Sequence, residues 1–402
     1  MKVVWLCNFT NTEIQGILKP YRPVIEYGFW IPEALKVIEG DPRFDIYVIS
    51  PHYWIKHQTV FELRGVHYHF FNPFIDTFRH LFHNRIYDIN DFTNYCRNTR
   101  IITKIIDKIK PEVIHLIGAE NAPYSASVIK LADKYPVIFS AQGFISFTTS
   151  VKKKKHIRKS IEIEQKVIKK IQTSFYRSKT EIDNIRRFNP NMIFSWYTFS
   201  SLEEKVPTGP IEKKYDVVFF ARICRDKGIV DLLDAVRIIQ GRKPDVSLCV
   251  IGSGSIDEFK NYAESIGIHN NVYWAGFQPT REDVHKLAMQ ARVAVLPTHY
   301  DMFPGLIVES MFLGIPVVSY DIPCNREIND KGEVIKLVTI GDISSLASSI
   351  EAFLSDDELS NEFIEKAKKR AVEMFVHSDE KLREALIAGY ELAIDVYNGN
   401  VK

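Results

Sequence analysis

The sequence predicts two α/β domains, each a doubly wound parallel sheet with helices on both faces. The chain has 402 residues, more than one hydrophobic core usually serves, so we expect two domains of about 200 residues each. Short β-branched runs alternate with helical patterns along the whole chain, which is typical of parallel strands joined by crossover helices. A polar, proline-containing stretch divides this pattern into two similar halves.

The composition is that of an ordinary globular protein. Lysine and arginine total 52 and aspartate and glutamate 50, a net charge of +2, so we expect no nucleic acid partner. Five widely spaced cysteines form no Cys-x-x-Cys pair, which favours buried thiols over disulfides or zinc. The pairs His67 and His69, and His80 and His83, have no thiol or carboxylate pattern to complete a metal site, so no metal is expected.

The apolar runs are too short to span a membrane. They fall well short of the roughly 20 residues that a spanning helix needs. The N-terminal MKVVWLCNFTNTE has an apolar stretch shorter than a signal-peptide core and predicts a buried strand. With the cysteine pattern, this indicates a cytoplasmic protein.

The predicted strands occur in two series. The first series is Val3 to Cys7, Phe44 to Ile49, Val113 to Ile117 and Val137 to Ser140, with an aromatic-rich, irregular stretch between His52 and Tyr95. The second series is Val217 to Phe220, Val246 to Ile251, Val272 to Trp274, Val293 to Leu296 and Pro316 to Tyr320. Ligands of such sheets bind beyond the carboxyl ends of the strands, so we expect the two domains to face one another across a cleft.

The domain boundary is predicted in the stretch SSLEEKVPTGPIEKK, residues 200–214, which contains two prolines and a glycine. It separates an N-terminal domain, 1–199, from a C-terminal domain, 215–377. Residues 378–398 begin with Ser, Asp and Glu, a good helix cap and first turn, and continue as an amphipathic helix. We expect this helix to pack back on the N-terminal domain.

The first motif of the second half is a strand-to-helix loop that carries two cations. Arg222 follows a buried strand, and five residues later Lys227 stands beside Gly228, just before a predicted helix. Such a loop suits an anionic ligand because the helix N-terminus adds N–H donors and the positive end of its dipole. The alternative is a solvated loop with ordinary surface cations.

The second motif is VSLCVIGSGS, a strand that ends in Gly252 and Gly254. The third glycine of a dinucleotide fingerprint is missing, which disfavours a nicotinamide cofactor. A tight turn between strand and helix also requires glycine, so a purely structural interpretation stays open.

The third motif is ARVAVLPTHYDMFPGLIVESMFLGIPVVSY. A loop with Asp301 follows the strand, and Pro304 and Gly305 begin the next helix. We expect the N–H groups of Gly305 and Leu306 to be unpaired and available to an anion. Glu309 lies on the same helix face as Gly305, which places a carboxylate beside a phosphate-sized site. The alternative is a glutamate on the helix surface.

Together the three motifs resemble the donor domain of the retaining GT-B glycosyltransferases of family 4, the group 1 class. The resemblance covers Tyr215 to about Ser355. Arg222 and Lys227 match the Arg-x4-Lys-Gly motif of the family, and Glu309 matches the later acid of its Glu-x7-Glu motif. Gly252 and Gly254 match its strand-Gly-x-Gly turn, so the resemblance implies that they belong to the donor-binding residues. The resemblance implies the GT-B fold, in which two doubly wound Rossmann-like domains face a cleft.

The resemblance also implies a role for each motif residue. Arg222 and Lys227 would bind the diphosphate of a nucleotide-sugar donor and stabilise its charge as it leaves. Glu309 would hold the ribose hydroxyls. Asp301 and the backbone of Phe303 to Leu306 would hold sugar hydroxyls and phosphate. No metal or cofactor is implied; UDP is the default nucleotide and GDP the alternative.

Two positions depart from the family pattern. Asp301 replaces the usual glutamate, and its carboxylate reaches roughly 1.5 Å less far. Gln142 stands before Gly143, where the family usually has histidine; glutamine can position a hydroxyl but cannot act as a base. Gln142 in a purely turn-forming role is the alternative. Gly28 lies where the family often has a glycine-rich loop facing the diphosphate.

A basic amphipathic segment runs from Lys152 to Phe175. Relatives that build lipid-linked polysaccharides work at the membrane, where such a helix would meet anionic lipid. A helix packed on its own domain is the alternative.

The resemblance implies a retaining glycosyltransferase that moves a sugar from a nucleotide-diphosphate donor to a hydroxyl acceptor, a carbohydrate or lipid-linked sugar, during surface polysaccharide or glycolipid synthesis. Two alternatives remain. One is another sugar-nucleotide enzyme of the same fold, an epimerase or a phosphorylase. The other is a non-catalytic nucleotide-sugar-binding protein.

Overall fold

The structure is a computed structural model that describes residues 1–21, 30–74, 90, 93–147, 155–197, 207, 211–375 and 377–401. The chain divides into two compact units. Unit 1 comprises Met1–Ser200 together with His377–Lys402, and unit 2 comprises Ser201–Val376. Most of the linker predicted at 200–214 lies outside the described residues.

Unit 1 is an α/β layer structure. Its described strands are β1 Lys2–Leu6, β2 Asp45–Pro51, β3 Thr59–Leu63, β4 Val66–Phe71, β5 Val113–Ile117, β6 Val137–Ser140, β7 Thr173–Tyr176 and β8 Ile193–Trp196. The helices before the linker are α1 Thr12–Leu18, α2 Trp30–Ile38, α3 Cys96–Ile109, α4 Ala122–Ser125, α5 Val128–Leu131, α6 Lys155–Lys170 and α7 Lys179–Arg186.

The sheet of unit 1 has the order β3-β4-β2-β1-β5-β6-β7-β8 and is parallel except for β3, which pairs antiparallel with β4. Val3 to Leu6 of β1 are fully buried because helices cover both faces of a parallel sheet. Chain order reverses beside β1: β2 lies on one side of it and β5 on the other. The loops after β1 and β5 therefore diverge, which opens a crevice at their carboxyl ends. We call this edge the β1/β5 switch point.

The C-terminal helix belongs to unit 1. Its Ser378 cap accepts a hydrogen bond from the Lys381 N–H, and Tyr390 is fully buried against the sheet. The Tyr390 hydroxyl accepts from the Trp5 indole at 2.9 Å and lies 3.1 Å from His115 Nδ1. Helix and N-terminal sheet thus share one core.

Unit 2 has six described strands: β9 Tyr215–Phe220, β10 Leu248–Ile251, β11 Val272–Gly276, β12 Ala291–Leu296, β13 Val317–Tyr320 and β14 Lys336–Val338. Its described helices are α8 Ile229–Gln240, α9 Ile256–Ser265, α10 Arg281–Ala288, α11 Gly305–Leu313, α12 Pro323–Ile328, α13 Ile343–Ser355 and α14 Asp357–Phe375; the C-terminal helix of unit 1 is then α15, Asp379–Tyr397.

The sheet of unit 2 is parallel throughout its described strands, in the order β11-β10-β9-β12-β13-β14. Chain order reverses between β9 and β12, the arrangement of dinucleotide-binding sheets. The loops that follow these two strands contain the cation motif and the acid motif. We call this edge the β9/β12 switch point.

Two predictions about unit 1 are wrong. The basic helix does not run from Lys152 to Phe175: it ends at Lys170, and Phe175 is buried in β7 because the chain turns back into the sheet. Residues 152–154 lie outside the described residues. The second wrong prediction is that the thiols are buried. The cysteines are free, but Cys96 is exposed at the start of α3. Across the described residues we find no helix with the length and apolarity needed to span a membrane.

Candidate functional site

The β9/β12 switch point brings a cation and an acid together. Lys227 Nζ donates to Asp301 Oδ2 at 2.5 Å, and the two side chains are 21% and 14% exposed. Asp301 Oδ1 accepts from the Met302 N–H at 2.9 Å, so both carboxylate oxygens have partners. The loops after β9 and β12 thus share a half-buried ion pair at the carboxyl edge of the sheet.

Gly228 lets the two loops approach. Its φ is +78°, and a Cβ there would lie 1.8 Å from the Pro297 carbonyl oxygen, so both conformation and space require glycine. Beside it, the Asp226 carbonyl accepts from Thr298 Oγ1 at 3.2 Å and from the His299 N–H at 3.0 Å. These contacts hold Lys227 within reach of the acid loop.

Arg222 is exposed, and within the described ranges it makes no hydrogen bond or ion pair. Its loop is fixed by its neighbours: the Ile223 N–H donates to the Ser253 carbonyl at 2.8 Å. A Cβ on Gly252 would lie 2.0 Å from the Ala221 carbonyl oxygen. The Gly-x-Gly turn therefore has a structural role, which is to let its backbone pack against the Arg222 loop.

Gly254 has the same role. A Cβ there would lie 2.1 Å from the Ile223 carbonyl oxygen, and the two residues form an isolated parallel bridge. Binding of ligand by Gly252 or Gly254 stays a prediction.

The start of α11 is only partly open. The Gly305 N–H donates to the Phe303 carbonyl at 2.9 Å, so the expectation that it is unpaired is wrong, because the backbone folds into a tight turn before the helix. The Leu306 N–H has no acceptor among the residues that the structure describes. Phe303 is half-buried and packs edge-on against Phe375, with ring centroids 5.5 Å apart.

Glu309 is buried, with 3% of its side chain exposed, so the alternative of a surface glutamate is wrong. Its Oε1 pairs with the Arg281 guanidinium, and its Oε2 lies 3.0 Å from His285 Nε2. A Cβ on Gly305 would lie 3.6 Å from Glu309 Oε1, so the carboxylate lies beside the helix start as predicted. Burial lowers the pKa of Arg281 to about 9, which leaves it charged at neutral pH.

Arg281 and His285 are not among the residues predicted from the sequence. They lie four residues apart on α10 and so share a face, a spacing visible in the sequence. Nothing in the sequence indicates that this face meets Glu309, 24 residues after His285.

A second missed group steadies the acid loop. His299 Nε2 lies 2.9 Å from Asp231 Oδ2, and the Tyr320 hydroxyl donates to the same oxygen at 2.6 Å. Burial and the Asp231 charge raise the pKa of Tyr320, so it stays a donor. The loop after β12 is thereby tied to the first turn of α8.

The remaining candidates lie in unit 1. Gln142 follows β6, is half-buried, and accepts a hydrogen bond from the Trp30 indole. Gly28 lies outside the described residues. Among the residues described, no cluster of three or more histidine, cysteine, aspartate or glutamate side chains is placed to hold a metal ion.

Comparison with known proteins identifies unit 2. Residues 201–370 match the sequence model of the family described as glycosyl transferases group 1. This segment is a group 1 glycosyl transferase domain. The match includes every candidate residue placed at or beside the β9/β12 switch point, from Arg222 to Glu309.

A relative of this group 1 domain is the capsular polysaccharide biosynthesis glycosyltransferase CapM of Staphylococcus aureus. It is 26% identical over 194 residues, which is 44% of this chain and 46% of CapM. The chain thus spans less than half the length of this relative.

Two solved structures are similar over nearly the whole chain. Sucrose-phosphate synthase from Thermosynechococcus elongatus has a TM-score of 0.75 at 15% identity and covers 99% of each chain. Anabaena HepE in complex with UDP-glucose has a TM-score of 0.68 at 15% identity and covers 96% of this chain and 100% of HepE. These likenesses confirm the predicted GT-B fold.

Proposed function

We propose that the protein is a retaining glycosyltransferase. It transfers a sugar from a nucleotide-diphosphate donor, with UDP favoured over GDP, to a hydroxyl of a carbohydrate or lipid-linked acceptor. The observation that carries the proposal is the β9/β12 switch point, where Lys227 stands beside Asp301 and the guanidinium of Arg222 is exposed, with no partner in the described part of the chain. This is the edge at which sheets of this order bind nucleotides.

The chemistry needs cations because the bond that breaks leaves a diphosphate with growing negative charge. Lys227 is positioned for this task by its loop, and Arg222 has all its guanidinium donors available. Hydrogen-bond donors that already point at the place where negative charge develops are commonly the largest contribution to the rate enhancement of an enzyme. In transfer with retention of configuration, the leaving phosphate can take the proton of the acceptor hydroxyl. The reaction then needs no basic side chain at position 142, and Gln142 only has to position the acceptor.

Asp301 and Glu309 then have different tasks. Asp301 holds Lys227 before the donor arrives, and a bound phosphate shares or takes over that contact. Glu309 is fixed by Arg281 and His285, and each of its oxygens keeps one lone pair for a ribose hydroxyl. Donor access to Glu309 then requires movement of Arg281, whose side chain is 30% exposed.

The relatives support the substrate class. CapM is named for capsular polysaccharide biosynthesis, and the HepE structure contains UDP-glucose. We infer by analogy a place in surface polysaccharide or glycolipid assembly, on the cytoplasmic side. Peripheral membrane contact would use the basic face of α6, where Arg158, Lys166 and Lys169 are exposed while Val167 and Ile168 are buried.

Calorimetry tests the proposal directly. The full-length protein is titrated with UDP, GDP, ADP and NAD, with and without Mg²⁺. We expect one nucleoside diphosphate to bind and Arg222→Ala to weaken it by about tenfold or more, the worth of a charged hydrogen bond. The matched control is Arg242→Ala, which removes a surface arginine paired with Glu351 in the same unit. No binding to any diphosphate, or a preference for NAD, contradicts the proposal.

A further inference from the structure

The β1/β5 switch point of unit 1 holds buried polar atoms that lack partners. Thr10 follows β1, His52 follows β2 and Glu120 follows β5. Thr10 is 8% and His52 3% exposed. Thr10 Oγ1, His52 Nε2 and Glu120 Oε2 are each buried, with no hydrogen-bond partner among the described residues.

The strand register puts these three atoms at one edge. Leu6 of β1 lies opposite Ile49 of β2 and Leu116 of β5, so the three strands end side by side. Neighbouring strands are about 4.8 Å apart, so the three loops span roughly 10 Å, the length of a sugar ring with its substituents. The Phe9 N–H donates to Ser50 Oγ at 2.9 Å, which ties the loop after β1 to the end of β2.

Asn98 adds a fourth group. It lies in the first turn of α3, is 1% exposed, and neither Nδ2 nor Oδ1 has a partner within the described part of the chain. Because α3 leads into β5 and runs antiparallel to it, the first turn of α3 lies at the carboxyl edge of the sheet. Helix α3 contacts α4, the helix that follows Glu120.

So many buried polar atoms without a partner among the described residues indicate a ligand-binding site. More than nine in ten buried polar groups in proteins have a hydrogen-bond partner, because losing water without replacement is costly. Within the described part of unit 1, two further atoms of this kind, His69 Nδ1 and Thr103 Oγ1, lie along β4 and α3. The other four groups lie after β1, β2 and β5 and in the first turn of α3, at the edge where sheets of this topology bind ligands.

The groups at this edge are uncharged at neutral pH. Burial lowers the pKa of His52 to about 4, so its imidazole is neutral. The Trp54 N–H lies 3.4 Å from His52 Nδ1, which makes Nδ1 the acceptor and leaves the proton on Nε2. Burial, with a contribution from the charge of Glu164, raises the pKa of Glu120 to about 8, so its carboxyl is mainly protonated.

The charged neighbours are already satisfied. Glu164 accepts from the Ile145 and Ser146 N–H groups at 3.0 Å each. Arg177 pairs with Glu181 at 2.9 Å, and its guanidinium donates to the Ala141 carbonyl at 2.6 Å. Neither offers a free charge to a ligand.

We propose that Thr10, His52, Asn98 and Glu120 form a binding recess for an uncharged sugar ring. We call these four side chains the polar recess. Neutral groups that donate and accept suit hydroxyls, which also do both, whereas a phosphate or carboxylate would find no unpaired cation at this edge among the residues that the structure describes. The inference rests on the proposed function, because it names the class of sugar that the transfer reaction uses as acceptor.

Ligand-observed NMR on the full-length protein tests the proposal. The neutral probes are the methyl glycosides of glucose, galactose, mannose and N-acetylglucosamine, and the charged probes are glucose 6-phosphate and methyl glucuronide. We expect a neutral glycoside to bind better than both charged probes, and Thr10→Val to weaken it by about fivefold, the worth of one hydrogen bond.

The matched control is Thr173→Val, the same substitution at the amino end of β7 in the same sheet. The Thr173 hydroxyl donates to the Val137 carbonyl at 2.8 Å, so this variant loses a real hydrogen bond. We expect it to have a lower melting temperature and unchanged glycoside binding. Thr10→Val, which removes a buried hydroxyl without a partner, is expected to keep or raise the melting temperature.

Three outcomes overturn the polar recess: no neutral glycoside binds, a charged probe binds more tightly than the neutral ones, or Thr10→Val melts as early as Thr173→Val. UDP and GDP affinities are measured on the same samples. Absence of binding to both nucleotides contradicts the proposed function itself, whereas binding of either nucleotide without glycoside binding contradicts the polar recess alone.

Discussion

The two switch points occupy the same position in two sheets of similar order, yet their chemistry is opposite. At the β9/β12 switch point, Lys227 and Asp301 are charged and paired. At the β1/β5 switch point, Thr10 and Glu120 present buried polar atoms that have no partner among the described residues. The fold fixes where a ligand can bind, and the side chains at the strand ends decide which ligand it is.

The difference also shows in how the loops are built. The loops of the β9/β12 switch point are tied by backbone contacts that only glycine permits, as at Gly228. At the β1/β5 switch point glycine makes room for a side chain instead: Gly118 has a φ of +86°, and a Cβ there would lie 2.7 Å from Glu120 Oε1. The loop after β1 is joined to the end of β2 by the hydrogen bond from the Phe9 N–H to Ser50 Oγ. A site for a reacting diphosphate needs fixed donors, whereas a site for neutral hydroxyls needs matched partners.

The largest effect should come from the charged switch point. We expect Lys227→Ala to lower sugar-transfer turnover by about a hundredfold or more, because the leaving diphosphate loses a fixed cation. Release of UDP from a UDP-sugar measures it. Lys243→Ala, which breaks the 2.6 Å pair with Asp216 in the same unit, is the control and should keep normal turnover. Near-normal turnover of Lys227→Ala would remove Lys227 from the mechanism.

Glu309→Gln should cost both stability and donor affinity. The amide cannot neutralise Arg281, and we expect a loss of about 1–3 kcal/mol in the free energy of unfolding. Denaturant titration and UDP calorimetry measure the two effects. The control is Glu282→Gln, which breaks the exposed ion pair between Glu282 and Lys286 on α10. It should lower the free energy of unfolding by less than about 0.5 kcal/mol. Unchanged UDP affinity in Glu309→Gln would assign this carboxylate to structure.

At the β1/β5 switch point, the protonated carboxyl of Glu120 should make the free energy of unfolding depend on pH. The pKa of Glu120 is raised from 4.5 to about 8 in the folded protein, so between these values the folded state holds the proton more tightly than the unfolded state. The free energy of unfolding of the wild type relative to Glu120→Gln should therefore fall as pH rises from about 4.5 to 8, by up to about 1.4 kcal/mol per pH unit. A flat difference would mean that Glu120 is ionised.

The smallest effect should come from restoring the family residue at Asp301. Asp301→Glu extends the carboxylate by roughly 1.5 Å and should change turnover by less than about tenfold while altering the preference between UDP-sugars. The ratio of kcat/KM for two UDP-sugars measures it. Asp283→Glu, the same exchange on α10, should leave the ratio unchanged. An unchanged ratio in Asp301→Glu would mean that Asp301 serves only to hold Lys227.

The sequence predicted the strands best where short apolar runs lie between turn residues. Val113–Ile117 and Val137–Ser140 agree with the structure residue for residue. It failed at β7, because Ile171 and Phe175 continue the helical spacing of α6, and only tertiary packing ends that helix. The stretch from His52 to Tyr95 gave no prediction, and part of it forms β3 and β4.

The candidate sites differ in the same way. Lys227 and Asp301 were predictable because glycine, charge and strand ends mark their loops, whereas Arg281 and His285 depend on a contact between distant segments. The polar recess had no sequence signal at all. Thr10 and Asn98 are ordinary polar residues, and what distinguishes them is the lack of a partner, which only the folded arrangement reveals.

The most direct test is a crossed binding experiment on the wild type, Lys227→Ala, Thr10→Val and the double variant. UDP affinity is measured by calorimetry and methyl glycoside affinity by NMR. We expect Lys227→Ala to weaken only UDP binding, Thr10→Val to weaken only glycoside binding, and the double variant to show both losses. A loss of UDP affinity in Thr10→Val as large as that in Lys227→Ala, or no loss in Lys227→Ala, would contradict the division of tasks between the two switch points.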